Sequence, residues 1–283
     1  MAIPALGLEI PAFGGTAALR AAALGATRIE LNAEGSYGEG GLTPSLEDLK
    51  RFRSAAAPES KLPLRIMIRP RGPPSAEHGG FGARDFRYSD EEFDTMEASI
   101  EEFINSGLLN ASRGDGFVFG ILEEDACVES DEHTRRRRCW VDKSRCARLV
   151  RAAQPFKCVF HRAFDEIVSC DDDASDGSAG QSWETGLEAV AACGFEGILT
   201  SGGLGKAIDN TAMLEKIIQR AQTLQIEIIV GGGVRTTNVG GIVRRLELRE
   251  RADSVYLHSA CLHGDGSEEI NPGEVQGIII QFV

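Results

Sequence analysis

The sequence predicts an α/β fold, a TIM-type (β/α)8 barrel in which residues 1–283 form a single domain. Eight short runs of branched and aromatic residues alternate along the chain with about eight helical segments. Strict alternation of strand and helix requires parallel strands that are covered by helices. Eight such units favour closure into a barrel, which needs about 250 residues. An open, doubly wound sheet is the alternative fold, and no linker divides the chain into two domains.

The elements follow in order, and local signals set several of their boundaries. Predicted strands cover residues 6–10, 27–32, 64–68, 116–122, the start of 156–166, 197–200, 227–230 and 254–257. Predicted helices cover residues 17–24, a segment from 43, 89–107, 143–153, 183–193, 212–224, a segment from 236 or 237 to 250, and 272–280. Thr43 is a suitable N-cap before Pro44, which lacks an N–H that the first helical position does not need. Ser89 and Glu92 match a capping box.

Three segments are predicted to lie outside this framework. Residues 170–182 are acidic and rich in Ser and Gly without an apolar face, which predicts a disordered surface insertion. The long loop at 72–87 is expected to be functional or mobile, and Asp85 and Tyr88 in it can close over a site. Arg135–Arg138 are typical of a solvated surface run, with a nuclear-localisation signal as the weaker interpretation.

Charge and cysteine usage exclude several classes of protein. A net charge of −13 argues against binding to nucleic acids or to anionic membranes. The seven cysteines are scattered without a CxxC pair, unlike a disulfide framework or a zinc finger, so we expect reduced thiols in a cytoplasmic protein. The N-terminus lacks the features of a signal peptide, and no apolar run approaches the ~18 residues of a membrane span.

Polar and titratable side chains follow the predicted strands, at the end of the barrel where sites of this fold lie. The stretch FKCVFHRAFDE at 156–166 shows this most clearly, because a buried strand there ends in His161, Arg162 and Asp165. If the more apolar face of each strand packs on the helices, alternation directs a polar set into the barrel. That set is Glu9, Glu30, Arg69, His161 and His258.

Three interpretations of this polar set are open. It can perform acid/base catalysis on a small anionic metabolite, with a carboxylate or a histidine moving the proton and Arg69 holding a phosphate or carboxylate. It can bind a metal, since carboxylates and imidazoles suit zinc, manganese or copper(II), although Arg69 disfavours a cation. It can also be a paired polar plug that fixes the strand register.

The glycine-rich loops suggest a second kind of site. Gly231–Gly233 follow the seventh strand and precede a helix, a pattern that can present backbone N–H groups to an anion. Phosphate sites in such barrels commonly use the loops after strands seven and eight. The candidate anion-binding residues are Arg71, Arg162, Ser201, Gly202, Gly232, Gly233, Arg235 and Ser259. The alternative is that these glycines only make tight turns.

Taken together, these strand ends resemble the CutC family. The matching segments are RIEL at 28–31, EGGLTPSL at 39–46, IRPRG at 68–72, DFRYSDEEF at 85–93, GFVFGIL at 116–122, FHRAFD at 160–165, ILTSGG at 198–203, GGGVR at 231–235 and HSA at 258–260. They occur in family order from about residue 6 to 260. The combination of IRPRG, a following YSD, HRAFD and LTSG is highly specific.

The resemblance implies a TIM-type barrel, a cytosolic homodimer and a role in copper homeostasis, with copper as the bound metal. Members commonly carry cysteines after the Glu-Ile of the first strand and the Glu-Leu of the second, and these thiols are the proposed ligands of copper(I). Here those positions hold Pro11 and Asn32. The retained residues are Glu9, Glu30, Arg69, Arg71, His161, Arg162, Asp165, Ser201, Arg235 and His258.

Two functions therefore stand as expectations. The first, implied by the resemblance, is copper homeostasis with copper ion binding. The alternative is an enzyme or binding protein for a small phosphorylated or carboxylated metabolite, with Glu9, Glu30, Arg69, His161, Asp165 and His258 as catalytic candidates. The expected partners are a small anionic ligand or a metal ion and a second copy of the chain, with no nucleic acid and no membrane.

Overall fold

Eight parallel strands close into a barrel in the computed structural model of the protein, which confirms the predicted fold class and excludes the open sheet. The structure describes residues 6–55, 61–74, 84–124, 138–170, 182–252 and 254–282. The strands are β1 (Gly7–Phe13), β2 (Arg28–Asn32), β3 (Leu64–Met67), β4 (Gly116–Phe119), β5 (Leu122–Glu124), β6 (Cys139–Val141), β7 (Lys157–Phe160), β8 (Gly197–Thr200), β9 (Glu227–Val230) and β10 (Val255–His258). Around the barrel their order is β1-β10-β9-β8-β7-β4-β3-β2.

Helices follow the barrel strands and pack on their outer face. They are α1 (Gly15–Leu24), α2 (Leu46–Ala55), α3 (Asp90–Asn105), α4 (Lys143–Ala152), α5 (Ala163–Val168), α6 (Ser182–Cys193), α7 (Thr211–Leu224), α8 (Val239–Arg245) and α9 (Pro272–Ile279). The outward residues of the strands, such as Leu8, Ile10, Ile29 and Leu31, form one continuous core with these helices. Within the described residues, no helix is long and apolar enough to cross a membrane.

A second, smaller apolar cluster fills the barrel itself. It consists of Met67, Val118, Val159, Leu199 and Ile229, each from a different strand. Because side chains alternate along a strand, each of these residues fixes which of its neighbours also point inward. On β3, for example, the inward position of Met67 places Arg65 below it and Arg69 above it. The polar side chains of the barrel interior are thus stacked above and below an apolar layer.

The observed elements differ from the predicted ones in four places. The strand predicted at 116–122 is divided after Phe119, and its second part pairs antiparallel with β6 in a hairpin outside the barrel. The helix predicted up to residue 250 ends at Arg245, and a separate 3₁₀ turn covers Leu248–Arg251. The short helix α5 was not predicted. β1 extends to Phe13 rather than ending at residue 10.

The predicted N-cap at Thr43 is also wrong, and its actual contact bears on the site. Helix α2 begins at Leu46, and Ser45 Oγ accepts the hydrogen bond from the Asp48 N–H at 3.2 Å. Thr43 Oγ1 instead accepts from the backbone N–H of Arg69 at 2.8 Å. The threonine thus ties the loop before α2 to the end of β3.

Parts of three predicted loop segments lie outside the described residues. These are 171–181 of the acidic insertion, 75–83 of the long third loop, and 135–137 of the arginine run. The described end of the third loop carries Asp85, Phe86 and Tyr88 back to the barrel.

The capping box predicted at the start of α3 is present, with Ser89 Oγ accepting from the Glu92 N–H and the Glu92 carboxylate accepting from the Ser89 N–H. We predict that Ser89→Ala lowers the free energy of unfolding by about 1 kcal/mol, because the hydroxyl that accepts from the Glu92 N–H is lost. Urea unfolding followed by circular dichroism measures the change. Ser99→Ala is the matched control, because Ser99 lies mid-helix, bonds only to the Thr95 carbonyl, and should cost almost nothing. Equal losses for the two variants would contradict the prediction.

Candidate functional site

A cavity of about 220 Å³ opens at the C-terminal ends of the barrel strands. Four of the five side chains predicted to point into the barrel line this cavity, namely Glu30, Arg69, His161 and His258. The fifth, Glu9, is 1% exposed and lies behind His258. The structure therefore brings the five residues into one polar group at the position that the fold predicts for a site.

Glu9 connects this group to the barrel interior beneath it. Its Oε2 atom accepts a hydrogen bond from Arg28 Nε, and its Oε1 atom lies 2.8 Å from Nδ1 of His258. Arg28 also donates to Glu227 at 2.7 Å and stacks over the ring of Tyr256 at 3.8 Å. Since Glu9 stands opposite both Arg28 and His258 in the strand register, the barrel geometry itself places these three side chains together.

Glu30 lies close to this pair but has fewer partners. Its Oε1 atom accepts from Nδ2 of Asn32 at 3.1 Å, whereas Oε2 is buried without a hydrogen-bond partner among the described residues. Oδ1 of Asn32 is likewise buried without a partner there. A buried polar atom without a partner costs free energy. These two oxygens therefore mark a place where a proton donor, a metal ion or a ligand would be stabilised.

The surroundings push the pKa values of the two carboxyl groups apart. Burial disfavours ionised Glu9, but the charge of Arg28 and then the hydrogen bond and charge of His258 outweigh it and lower its pKa from 4.5 to about 2. For Glu30, burial outweighs the charge of His258 and raises the pKa, and the charge of Glu9 adds to the rise. Two acids separated in this way take different roles in proton transfer. Glu9 remains ionised, and Glu30 is the carboxyl group that can hold and release a proton.

His258 is oriented by Glu9. Burial disfavours the charged imidazole, yet the hydrogen bond to Glu9 and the charges of Glu30 and Glu9 together raise its pKa above 6.5. Because ionised Glu9 can only accept hydrogen bonds, Nδ1 of His258 is the donor. Nε2 is then the ring nitrogen that can exchange a proton with a ligand or bind a metal.

His161 has the opposite character. Burial, followed by the charge of Arg69, lowers its pKa to about 3, so the ring is neutral at physiological pH. Its Nδ1 atom accepts from the Ala163 N–H at 3.3 Å, which assigns the ring proton to Nε2. Nε2 is buried without a hydrogen-bond partner among the described residues. The ring of Phe86 packs on the imidazole, with centroids 4.6 Å apart. His161 thus offers one fixed N–H donor in the cavity wall.

Arg69 joins the loops that enclose the cavity. Its guanidinium donates to the carbonyl oxygens of Glu39 and Gly41, the latter at 3.0 Å, and to Asp85 Oδ2 at 2.9 Å. The positive charge lies at the wall, but three of its N–H groups already bind protein acceptors. The ion pair with Arg69 ties Asp85 to the cavity wall, although Asp85 itself does not line the cavity.

The loop after β9 presents a run of backbone donors. The N–H groups of Gly232, Gly233 and Val234 have no acceptor among the described residues, and all three residues line the cavity. Gly232 and Gly233 have φ values of +94° and +68°, which glycine adopts without strain. Successive N–H groups in such a conformation form a concave anion-binding surface.

Two arginines flank this loop. Arg162 and Arg235 both line the cavity. A Cβ atom at Gly232 would lie 3.5 Å from NH2 of Arg162 and 2.6 Å from Cβ of Ser201, so the glycine permits their close approach. Arg235 NH1 donates to the Leu262 carbonyl at 2.8 Å, which fixes its guanidinium at the rim.

Asp165, like Glu9, does not line the cavity. Its carboxylate accepts from Thr200 Oγ1 at 2.5 Å, from the N–H and Oγ of Ser201 at 2.9 and 2.8 Å, and from Arg162 Nε at 2.8 Å. With both oxygens occupied, Asp165 positions Arg162 and the loop after β8. We therefore assign it a positioning role rather than a catalytic one.

Of the remaining candidate anion-binding residues, one lines the cavity, two are buried behind it and one lies away from it. Ser259 lines the cavity, and its Oγ donates to the Val234 carbonyl at 2.7 Å. Ser201 and Gly202 are buried behind Arg162. Arg71 faces away from the cavity, where its Nε donates to Glu92 at 2.5 Å and its guanidinium packs over Tyr88.

Sequence reasoning missed the residues that complete the site. Arg28 and Glu227 form the ion pairs below Glu9, and Tyr37, Met67 and Phe86 complete the wall. Arg28 lies two residues before Glu30 and therefore on the same face of β2, so the spacing alone indicates that Arg28 also points into the barrel. The remaining contacts join distant segments, and no local pattern reveals them.

The donor atoms favour a divalent metal over copper(I). Glu9, Glu30 and His258 can each offer one ligand atom, and these atoms lie within 4.8 Å of one another. Carboxylates and imidazole suit copper(II), zinc or manganese, whereas copper(I) is selected by soft sulfur ligands. Of the residues that line the cavity, only Met67 carries sulfur, and Pro11 and Asn32 line it at the positions of the expected cysteines. The site therefore does not fit copper(I).

The fold and the cavity define a TIM-barrel protein with an acid, base and arginine site at the C-terminal ends of its strands. A family model described as the CutC family matches residues 8–256, and the chain belongs to that family.

Named relatives agree with this assignment. A CutC family protein of Treponema denticola is 32% identical over 270 residues, which cover 95% of this chain and 88% of that protein. The human copper homeostasis protein cutC homolog is 31% identical over 77% of this chain and 62% of its own length. A crystal structure described as the putative copper homeostasis protein CutC of Streptococcus agalactiae superposes with a TM-score of 0.64 at 26% identity, over 89% of this chain and 98% of that one.

We predict that Glu9→Gln lowers the pKa of His258, because the substitution removes a negative charge and replaces the carboxylate acceptor of its Nδ1–H with a neutral amide. The ring signals of His258 in NMR spectra recorded across the pH range measure this shift. His161 is the internal control, since its pKa of about 3 keeps the ring neutral between pH 5 and 8 in both proteins. An unchanged His258 titration in Glu9→Gln would contradict the orienting role of Glu9.

Proposed function

We propose that the cavity binds a small molecule carrying a phosphate or carboxylate group and transfers a proton on it. The observation that carries the proposal is the combination of unpartnered buried polar atoms with open backbone donors in one cavity. Glu30 Oε2 and His161 Nε2 face no partner among the described residues, and the Gly232–Val234 loop offers N–H groups opposite two arginines.

The anionic group of the ligand would bind at the loop after β9. Backbone N–H groups of Gly232 and Gly233 and the guanidinium groups of Arg162 and Arg235 supply donors of the kind that phosphate and carboxylate prefer. The fixed loop conformation requires no rearrangement at binding, which lowers the entropic cost. The net charge of −13 disfavours anions elsewhere on the surface, so this cationic cavity supplies the local attraction.

The remainder of the ligand would face the acid and base groups. Glu9 holds His258 so that Nε2 is available, and burial raises the pKa of Glu30, which favours the protonated carboxyl group that a proton donor requires. The neutral His161 can donate its Nε2 proton in a hydrogen bond to a carbonyl or hydroxyl oxygen of the ligand. This division provides a proton acceptor, a proton donor and an oxygen-binding donor around one small space.

We predict that Arg235→Ala weakens the binding of inorganic phosphate, and of phosphorylated or carboxylated metabolites found by thermal-shift screening, by about 10- to 100-fold. A hydrogen bond between charged groups contributes about 1.5–3 kcal/mol, which corresponds to that range. Isothermal titration calorimetry measures the affinity. Arg220→Ala is the matched control, because Arg220 lies on α7 outside the barrel and pairs with Glu188.

For any metabolite that binds, proton transfer is measured as incorporation of solvent deuterium by NMR. Glu30→Gln should abolish incorporation while phosphate still binds, because the amide retains the shape of the side chain but cannot exchange the proton. If Arg235→Ala and Arg220→Ala bind equally well, the anion site lies elsewhere. Incorporation that persists in Glu30→Gln would remove this residue from the proton transfer.

A divalent copper ion is the second candidate, and the Glu9, Glu30 and His258 group supports it together with the names of the relatives. Glu9, Glu30 and His258 would each supply one ligand atom to the ion, which would act as a bound cargo or a Lewis acid. Arg28 competes for Glu9, because its guanidinium already neutralises that carboxylate. Copper binding, homodimer formation and a cytoplasmic location stay predictions.

If copper(II) binds at this group, His258→Gln should lower its affinity by at least 10-fold, since a ring nitrogen ligand is lost. Calorimetry and the nitrogen hyperfine lines of the copper(II) electron paramagnetic resonance spectrum report the loss. His263→Gln is the control, because His263 lies in the loop after β10 and does not line the cavity. Equal affinity in the two variants would exclude copper binding at this group.

A further inference from the structure

Two cysteines lie side by side outside the cavity. Cys139 begins β6, and Cys170 follows the end of α5. Their sulfur atoms are 3.6 Å apart, and the two residues are only 4% and 6% exposed. No other hydrogen bond between two cysteine sulfurs is found within the described residues. A disulfide between these two residues requires the sulfurs to approach from 3.6 Å to ~2.05 Å.

Arg84 bridges the two elements that carry this pair. Its Nε donates to Glu124 at 3.0 Å, and its NH1 donates to Glu166 at 2.8 Å. Glu124 stands opposite Cys139 in the β5–β6 hairpin, and the Glu166 carbonyl accepts from Cys170 Sγ at 3.2 Å. The guanidinium therefore lies next to both sulfur atoms and joins the hairpin to α5.

The two thiols differ in acidity. The hydrogen bond from Cys139 outweighs burial and lowers the pKa of Cys170 to about 7, and the charge of Arg84 adds to the effect. The same hydrogen bond, together with burial, raises the pKa of Cys139. One sulfur can thus react as a thiolate while its neighbour keeps its proton, the arrangement of an attacking and a resolving cysteine.

We propose that Cys139 and Cys170 form a reversible disulfide when the protein meets a hydroperoxide. The Cys170 thiolate attacks one peroxide oxygen, the O–O bond breaks, and the second oxygen leaves with a proton as water or an alcohol. Cys139 then attacks the resulting sulfenic acid, an S–S bond forms, and the sulfenic oxygen leaves as water with the Cys139 proton. Both sulfurs are oxidised and the peroxide is reduced, and a dithiol reductant reverses the change by thiol–disulfide exchange.

The crosslink would act on an element that contributes to the cavity. Helix α5 follows directly after His161 and Arg162, and Arg84 precedes Asp85 and Phe86, which contact Arg69 and His161. A disulfide at Cys170 would covalently tie the end of this helix to the β5–β6 hairpin, to which Arg84 also joins it. The modification is independent of the ligand that the cavity binds.

The test uses the full chain, treated with hydrogen peroxide, blocked with a maleimide and digested for mass spectrometry. We expect a Cys139–Cys170 linked peptide that dithiothreitol removes, and a melting temperature that rises by about 5 °C on oxidation, because the crosslink restricts the unfolded chain. Failure to form this link under peroxide would overturn the proposal. A link from Cys170 to Cys127, or a stable sulfinic acid at Cys170, would overturn it as well.

Variants separate the roles of the two sulfurs. In Cys139→Ala, Cys170 should accumulate as a sulfenic acid that dimedone traps, whereas Cys170→Ala should consume peroxide at least 10-fold more slowly. Cys193→Ala is the matched control, since Cys193 is 7% exposed and its sulfur bonds only the Lys143 carbonyl among the described residues. Equal reaction rates for Cys170→Ala and Cys193→Ala would contradict the proposed attacking role.

Arg84→Gln should slow disulfide formation several-fold, because the positive charge next to Cys170 favours its thiolate. Arg87→Gln is the comparison, since Arg87 also pairs with Glu124 but its side chain is about half exposed to solvent. If the two substitutions change the rate equally, the effect arises from Glu124 and not from the charge near the sulfur.

Discussion

The buried carboxylate of Glu9 is the contact on which the site depends. One oxygen neutralises Arg28 in the barrel interior, and the other orients His258 at the cavity. An ionised carboxylate in such a position is stable only when both oxygens are compensated. Its lowered pKa shows that they are, and the ionised form stabilises the fold above pH 4.5, a contribution that is lost as the pH falls towards 2. The same contact therefore serves the barrel and sets the tautomer of the histidine.

Polar groups below the cavity form ion pairs, whereas several atoms at the level of the cavity lack partners. Glu9 pairs with Arg28, which also pairs with Glu227, although NH2 of Arg28 has no hydrogen-bond partner among the described residues. Glu30 Oε2, Asn32 Oδ1 and His161 Nε2, which lie above them, have no partners among the described residues. A plug that only fixed strand register would gain nothing from leaving these atoms unpaired. The unpaired carboxylate, amide and imidazole atoms of the upper layer support the proposal that this surface binds a ligand.

Periodicity and parallel-strand geometry made much of this predictable. Side-chain alternation on β2 and β3 predicted that Glu30 and Arg69 point into the barrel. Because the eight strands are parallel, their C-terminal ends lie at the same end of the barrel. The structure differs where long-range contacts decide. Thr43 bonds to Arg69 instead of capping α2, and Asp165 is enclosed by the loop after β8. The local sequence predicted an N-cap at Thr43 and a catalytic role for Asp165, because it contains no information about these distant contacts. Nothing in the composition of 116–124 indicated that the chain leaves the barrel after Phe119, because the hairpin partner lies in a distant segment.

The family assignment and the chemistry of the cavity bear on different questions. Membership in the CutC family fixes the barrel, and the copper role is attached to the names of relatives. In this chain, Pro11 offers no donor and Asn32 offers only an amide at the two wall positions where thiols were expected, so a soft sulfur cage cannot form there. The same wall holds a proline, an amide and a carboxyl group near two imidazoles and three arginines. That set provides many hydrogen-bond donors and two groups with raised pKa values, Glu30 and His258, which suits the proposed recognition and protonation of an anionic molecule more than the sequestration of a soft cation.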